Sequence, residues 1–220
     1  TPKLSACEVA MALMRCSSNL RTPGSKARTL NSRVAKAGMT LLALPAWASD
    51  SGWSMGLYAG KYHNQEPASF LVGRSEFKDH YILAVTASKR LWRAQNWPLE
   101  LELDAMLGQQ WGQANLSEVA VAPVLRWSGL PGRDTLAVDV RAGPLGISYT
   151  NIISPLERGV NDQGSRTLNF LMLELTATAP RNPRSEWFAR LHHRCTIYDL
   201  MNNYGANGED FFALGWRRRF

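Results

Sequence analysis

From Trp53 onward the chain alternates apolar and polar residues with a period of two, the pattern of strands that present different faces to different surroundings. The clearest stretch is Leu99-Glu100-Leu101-Glu102-Leu103-Asp104-Ala105, in which the leucines share one face and three carboxylates share the other. A helical period would scatter both sets around the axis. The same alternation runs through Tyr81, Leu83, Val85 and Ala87, through Val119, Val121, Pro123, Leu125 and Trp127, and through Leu136, Val138, Val140 and Ala142. Trp53 to Lys61, Thr167 to Thr176, Ser185 to Cys195 and Glu209 to Phe220 bring the segments to eight.

An even number of strands, most of them able to cross a bilayer at a tilt with about 9 to 11 residues, predicts an all-β fold: an eight-stranded antiparallel up-and-down transmembrane β-barrel. Connections after the second, fourth and sixth segments are short, around 94–96, 128–133 and 179–184, while the others are mostly longer. Brief periplasmic turns and long outer loops produce that asymmetry. Glu100, Glu102, Asp104 and Asp139 are expected to meet Arg126, Arg141, Arg190 and Arg194 in the lumen, because buried charge is tolerable only when paired. A soluble lipocalin-like barrel would alternate in the same way with its faces exchanged. Against it, Phe212, Leu214, Trp216 and Phe220 alternate toward one face, with Arg218 placed to snorkel, and a terminal Phe on such a strand resembles the outer-membrane assembly signal.

The formal charge of +7 first suggests a nucleic-acid binder, but its distribution removes that reading. Up to Ala48 seven Lys/Arg stand against Glu8 alone, leaving 18 basic against 17 acidic residues in the remainder. The basic segment has the parts of a secretory signal: Arg28, Arg33 and Lys36, the apolar run Met39 to Leu44, and the small-x-small site Ala46-Trp47-Ala48. Residues 1–48 are therefore expected to be an upstream extension and a cleaved signal sequence, and 49–220 the barrel; an amphipathic N-terminal helix is the plainer alternative. With Cys7 and Cys16 in the discarded part, the mature chain would keep Cys195 alone, so neither a disulfide scaffold nor a multi-cysteine metal site is expected, and no motif calls for a cofactor. No apolar run approaches the roughly 20 residues of a spanning helix, so any crossing is made by strands.

Candidate chemistry lies in Trp187-Phe188-Ala189-Arg190-Leu191-His192-His193-Arg194-Cys195. Alternation puts Trp187, Ala189, Leu191, His193 and Cys195 on the lipid side and Arg190, His192 and Arg194 on the lumen side. Imidazole and thiol at i and i+2 stand roughly 6 to 7 Å apart at their Cα atoms, close enough for side chains to exchange a proton. Glu209, at the start of the last strand, is the favoured orienting acid, ahead of Asp210 and Asp199. The intervening loop carries Asn202, Asn203, Gly205, Asn207 and Gly208, which can offer amide donors to an oxyanion or simply make turns. The plain alternative for the pair is a rim histidine beside a small apolar thiol. His192, on the lumen side, and His63, in an outer loop, have no nameable partners.

The segment His193-Arg194-Cys195, the Asn/Gly loop, an acidic residue and a final strand ending in Phe220 together resemble the C-terminal signature of the lipid A 3-O-deacylase (PagL) and acyloxyacyl-hydrolase-like outer-membrane family. Gly164-Ser165-Arg166-Thr167-Leu168-Asn169-Phe170 is a weaker echo of that family's sixth strand, and upstream of Gly164 the similarity rests on strand count. The resemblance implies an eight-stranded barrel in the outer membrane of a Gram-negative bacterium that removes an ester-linked acyl chain from lipid A. It implies His193 as base, Cys195 at the nucleophile position, Glu209 as orienting acid and Asn203 as an oxyanion donor, with Gly205 a further candidate from the loop itself. Two departures stand out: Cys195 replaces the family serine, and Thr196 replaces the Asn that often follows it. A thiolate can attack an ester, so the first exchange is compatible with activity. The implied partner is lipid A of lipopolysaccharide in the outer leaflet, and self-association as a homodimer is compatible with the sequence. A noncatalytic barrel with a structural or partner-binding role is the alternative of a different class.

Overall fold

The computed structural model describes residues 51–64, 76–196, 201 and 208–220. The expected leader, 1–48, lies outside them. Eight strands follow in chain order: β1 (Trp53–His63), β2 (Phe77–Arg93), β3 (Leu99–Trp111), β4 (Leu116–Trp127), β5 (Ala137–Thr150), β6 (Thr167–Thr178), β7 (Ser185–Cys195) and β8 (Glu209–Arg219). Each pairs antiparallel with the next, and β8 returns to β1, so the barrel closes. Closure satisfies the backbone groups that an open sheet edge would expose to lipid.

One end of the barrel holds the turns 94–98, 128–136 and 179–184 and the two ends of the barrel segment, where the Ser51 amide donates to the Phe220 carbonyl at 3.0 Å. The other end holds the longer connections 64–76, 151–166 and 196–208, with 112–115 the one short exception there. Strands β2 and β3 extend beyond the stretches in which alternation is cleanest, and His63, expected in a loop, closes β1.

The two faces separate the membrane barrel from the soluble one. Leu214 is 73 % exposed and Val85, Leu107 and Trp187 are each more than half exposed, an apolar surface far too extensive for water. Trp53, Trp97, Trp187 and Phe220 ring the turn end, and Phe77, Trp111 and Tyr149 ring the loop end, as aromatic girdles do at the two interfaces.

Charge fills the interior. Arg126 bonds to Glu102, Asp139 and Glu186, Arg141 to Glu102, Asp104 and Glu174, Arg190 to Asp104 and Glu174, and Arg217 to Glu174 and Glu186. The expected pairing thus holds for six of the eight residues named from sequence; Glu100 instead pairs with Arg93 near the turn end, and Arg194 belongs to a second cluster. Tyr58 spans the two: the Arg190 guanidinium lies 4.7 Å from its ring centre, and its hydroxyl is 3.0 Å from His192 Nδ1. Phe170, Met172, Phe188 and Phe211 pack the same layer.

The second cluster sits at the loop end of the barrel, beneath the β5–β6 loop. Glu118, Glu157 and Glu209 surround Arg194, whose nearest partner is Glu157 at 2.6 Å, with His192 3.2 Å from Glu118 and His80 3.4 Å from Glu209. Glu157 reaches the lumen from a single 3-10 turn, Pro155–Glu157, capped by the Ser154 hydroxyl, which accepts from Leu156 N–H. The same hydroxyl donates to Glu209 at 3.0 Å, so the β5–β6 loop is tied into the mouth of the barrel by two polar side chains.

Candidate active site

Strand parity decides what meets what on the lipid-facing wall. On β7, Trp187, Ala189, Leu191, His193 and Cys195 point outward; on β8, Asp210, Phe212, Leu214 and Trp216 do. The β7–β8 register sets His193 directly opposite Asp210 and Arg194 opposite Glu209. His193 Nδ1 and Asp210 Oδ1 are 2.5 Å apart and both side chains are buried, although they stand on the outer wall. The half-buried thiol of Cys195 lies two residues along the same outward face as the imidazole. With Nδ1 engaged by the carboxylate, Nε2 is the nitrogen left to exchange a proton with sulfur.

His193 and Cys195 are therefore brought together as expected, and Glu209 is not. Glu209 points into the lumen, where it accepts from Ser154 and faces His80 and Arg194, so a sheet wall separates it from the imidazole. Asp210 makes the contact instead, for the simple reason that adjacent residues of a strand point to opposite faces. Asn203, Gly205 and the less favoured Asp199 lie outside the described residues, and the first two stay expectations from the sequence.

Three further residues shape the site. Gly208 brings the chain past the imidazole: a Cβ there would fall 2.8 Å from His193 Cε1 and 2.7 Å from the Arg194 carbonyl oxygen. His63 occupies the same row on the other side of Asp210, its ring 5.3 Å from those of Phe77 and Phe212. Asn169 on β6 lies opposite Cys195, with Nδ2 3.6 Å from Sγ. Parity places His63 and Asn169 on the outward face, and an imidazole or a carboxamide at a lipid-facing position is the signal in the sequence, while what each one meets depends on register. Among the described residues no three His, Cys, Asp or Glu side chains converge as a metal-binding group.

A closed eight-stranded antiparallel barrel, apolar outside and packed with ion pairs inside, defines a transmembrane-type β-barrel, here with a His-Asp-Cys array on its outer wall. Among solved structures the chain is similar to the outer membrane enzyme PagL, with 15 % identity and a TM-score of 0.52 over 76 % of this chain and 99 % of that one. It is also similar to the N-terminal β-barrel domain of Pseudomonas aeruginosa OprF, at 14 % identity and a TM-score of 0.45 over 77 % and 98 % of the two chains. Neisserial surface protein A aligns at 12 % identity and 0.45 over 77 % and 98 %. At such identities the likeness to PagL is one of fold. No protein-family model matches the sequence, and no curated protein does.

Proposed function

We propose that this protein is an outer-membrane esterase that removes an ester-linked acyl chain from lipid A, with Cys195 as nucleophile, His193 as general base and acid, and Asp210 as the orienting acid. The observation that carries the reading is the 2.5 Å His193–Asp210 contact on the lipid-facing wall, with Cys195 two residues along the same face. If the turns are periplasmic, as in known barrels of this architecture, the array lies at the outer-leaflet level, where lipid A resides. Outward placement on the lipid-facing wall suits a substrate that arrives through the membrane.

The chemistry follows from the contacts. His193 takes the thiol proton, and Asp210 offsets the charge the imidazole gains in a medium of low dielectric. The thiolate attacks the acyl carbonyl carbon; a C–S bond forms and the carbonyl π pair moves onto oxygen. Collapse of the adduct breaks the ester C–O bond, and the leaving sugar alkoxide takes the proton from imidazolium. Water, deprotonated by His193, then attacks the thioester carbon, the C–S bond breaks, the fatty acid leaves and the sulfur is reprotonated. The scheme uses only side chains of this chain and water.

Mass spectrometry of lipid A from cells expressing the wild type, Cys195→Ala or His193→Ala tests the proposal. The wild type alone is expected to give species lacking one acyl chain, while all three proteins remain heat-modifiable barrels. Lipid A identical with and without the wild-type gene would replace the esterase by a barrel with a structural or partner-binding role.

A further inference from the structure

Placing a carboxamide on the lipid-facing wall of a barrel is unfavourable unless its polar atoms are used. Asn169 stands on that wall, between outward-facing Thr167 and Leu171, and is fully buried. Its Nδ2 donates to the Pro144 carbonyl oxygen at 3.2 Å and to Cys195 Sγ at 3.6 Å. Pro144 lies in the interruption where the β5–β6 register shifts between Gly143 and Gly146, a place where a residue without an N–H does not break the ladder. A carbonyl can only accept, so Pro144 holds the nitrogen of the carboxamide toward the bulge, and the second N–H of that nitrogen is the one directed at sulfur. Among the described residues Asn169 Oδ1 has no hydrogen-bond partner, a cost that packing alone does not explain.

We propose that Asn169 is the charge-stabilising donor of the site, its N–H serving the Cys195 thiolate first and the oxyanion of the adduct next. When sulfur bonds to the acyl carbon, the negative charge moves two bonds away, from sulfur to the former carbonyl oxygen. A donor already beside the sulfur follows it with a small rotation, held meanwhile by Pro144. The thiolate half of this role concerns this chain alone; the oxyanion half rests on the esterase reading. Asn169 belongs to the rigid sheet, so its donor is in place before a substrate arrives.

The test is the rate of Cys195 alkylation by iodoacetamide against pH, measured on the purified full chain in detergent micelles for the wild type, Asn169→Leu and Asn169→Asp, alongside lipid A cleavage. At pH 7 Asn169→Leu is expected to slow alkylation about tenfold, and Asn169→Asp, which sets a second negative charge beside the sulfur, to slow it further. A merely structural role would not produce that order. In cleavage, kcat should fall about a hundredfold with KM little changed. Alkylation profiles equal to the wild type in heat-modifiable barrels overturn the proposal, and do so even if lipid A is cleaved. Slowed alkylation with no cleavage by any protein, wild type included, upholds the donor on sulfur and rejects the esterase reading instead. If Asn169→Leu does not give a heat-modifiable barrel, the isosteric Asn169→Asp carries the test, and an unchanged profile there also overturns the proposal.

Discussion

Arg194 and Glu209 face each other across the β7–β8 ladder one step beyond His193 and Asp210, with Arg194 Nη1 3.7 Å from Glu209 Oε2. The first pair points inward and the second outward, so one stretch of hairpin carries a lumenal ion cluster on one side and the candidate active site on the other. Two acids adjacent in sequence therefore have separable roles. Asp210→Asn should lower fatty-acid release by about a thousandfold or more, because the imidazole loses the group that fixes its tautomer and offsets its charge. Glu209→Gln should cost less than about tenfold. Release of labelled fatty acid by the purified variants checks both, and equal losses would reject the separation.

The choice between those acids is legible in the chain from strand parity. Phe212, Leu214 and Trp216 mark the outward parity of β8, and that parity includes Asp210 and excludes Glu209. Adjacency of the start of β8 to β7 favours Glu209 instead, but adjacency alone does not decide which face an acid points to. Strand number, the facing of β7 and most of the lumenal pairing followed from alternation, since a period of two is a local property of the backbone. Glu174, Glu186 and Arg217 were not anticipated: which inward charges meet depends on the stagger of eight strands around a closed circle, a quantity no single segment contains. Alternation puts Asn169 outward, but its pairing with Cys195, 26 positions away, is not legible because it is made through the β6–β7 register.

Gly208 predicts a steric route to inactivation. Gly208→Ala would push a methyl group against His193 Cε1 and the Arg194 carbonyl, turning the imidazole away from Cys195. Fatty-acid release should fall about a hundredfold while heat-modifiable migration is retained. Wild-type activity in this variant would show that the imidazole tolerates the displacement.

Glu174 is the acid on which the deeper ion cluster converges, contacting Arg141, Arg190 and Arg217. Removing it leaves three guanidinium groups under-compensated away from water. Glu174→Ala should destabilise the barrel by about 3 to 5 kcal/mol, the scale of breaking a buried ion pair, read as a lower urea midpoint for unfolding from micelles or vesicles. An unchanged midpoint would mean that water or repacking replaces the carboxylate.

Glu157 links pH to the loop that ties into the barrel mouth. Burial holds its carboxyl well above the ordinary value of 4.5; Arg194 opposes that shift, and Glu209 and Glu118 add to it. A carboxyl raised on folding binds its proton more tightly in the folded chain, so its contribution is fully present below about pH 4.5 and is lost as pH rises toward the folded value. The wild type should thus lose more stability between pH 5 and pH 8 than Glu157→Gln does. Urea midpoints of both proteins at the two pH values check this, and parallel slopes would contradict it.

The most direct test of the central claim, that Cys195 attacks an acyl ester from the lipid-facing wall, is peptide mass analysis of the full-length protein quenched in acid during turnover of lipid A. The expected result is a fatty-acyl mass on the peptide containing Cys195, released by neutral hydroxylamine as a thioester is, and missing in His193→Ala. Undiminished removal of acyl chains by Cys195→Ala, with no acyl adduct on the wild-type cysteine, would contradict the account.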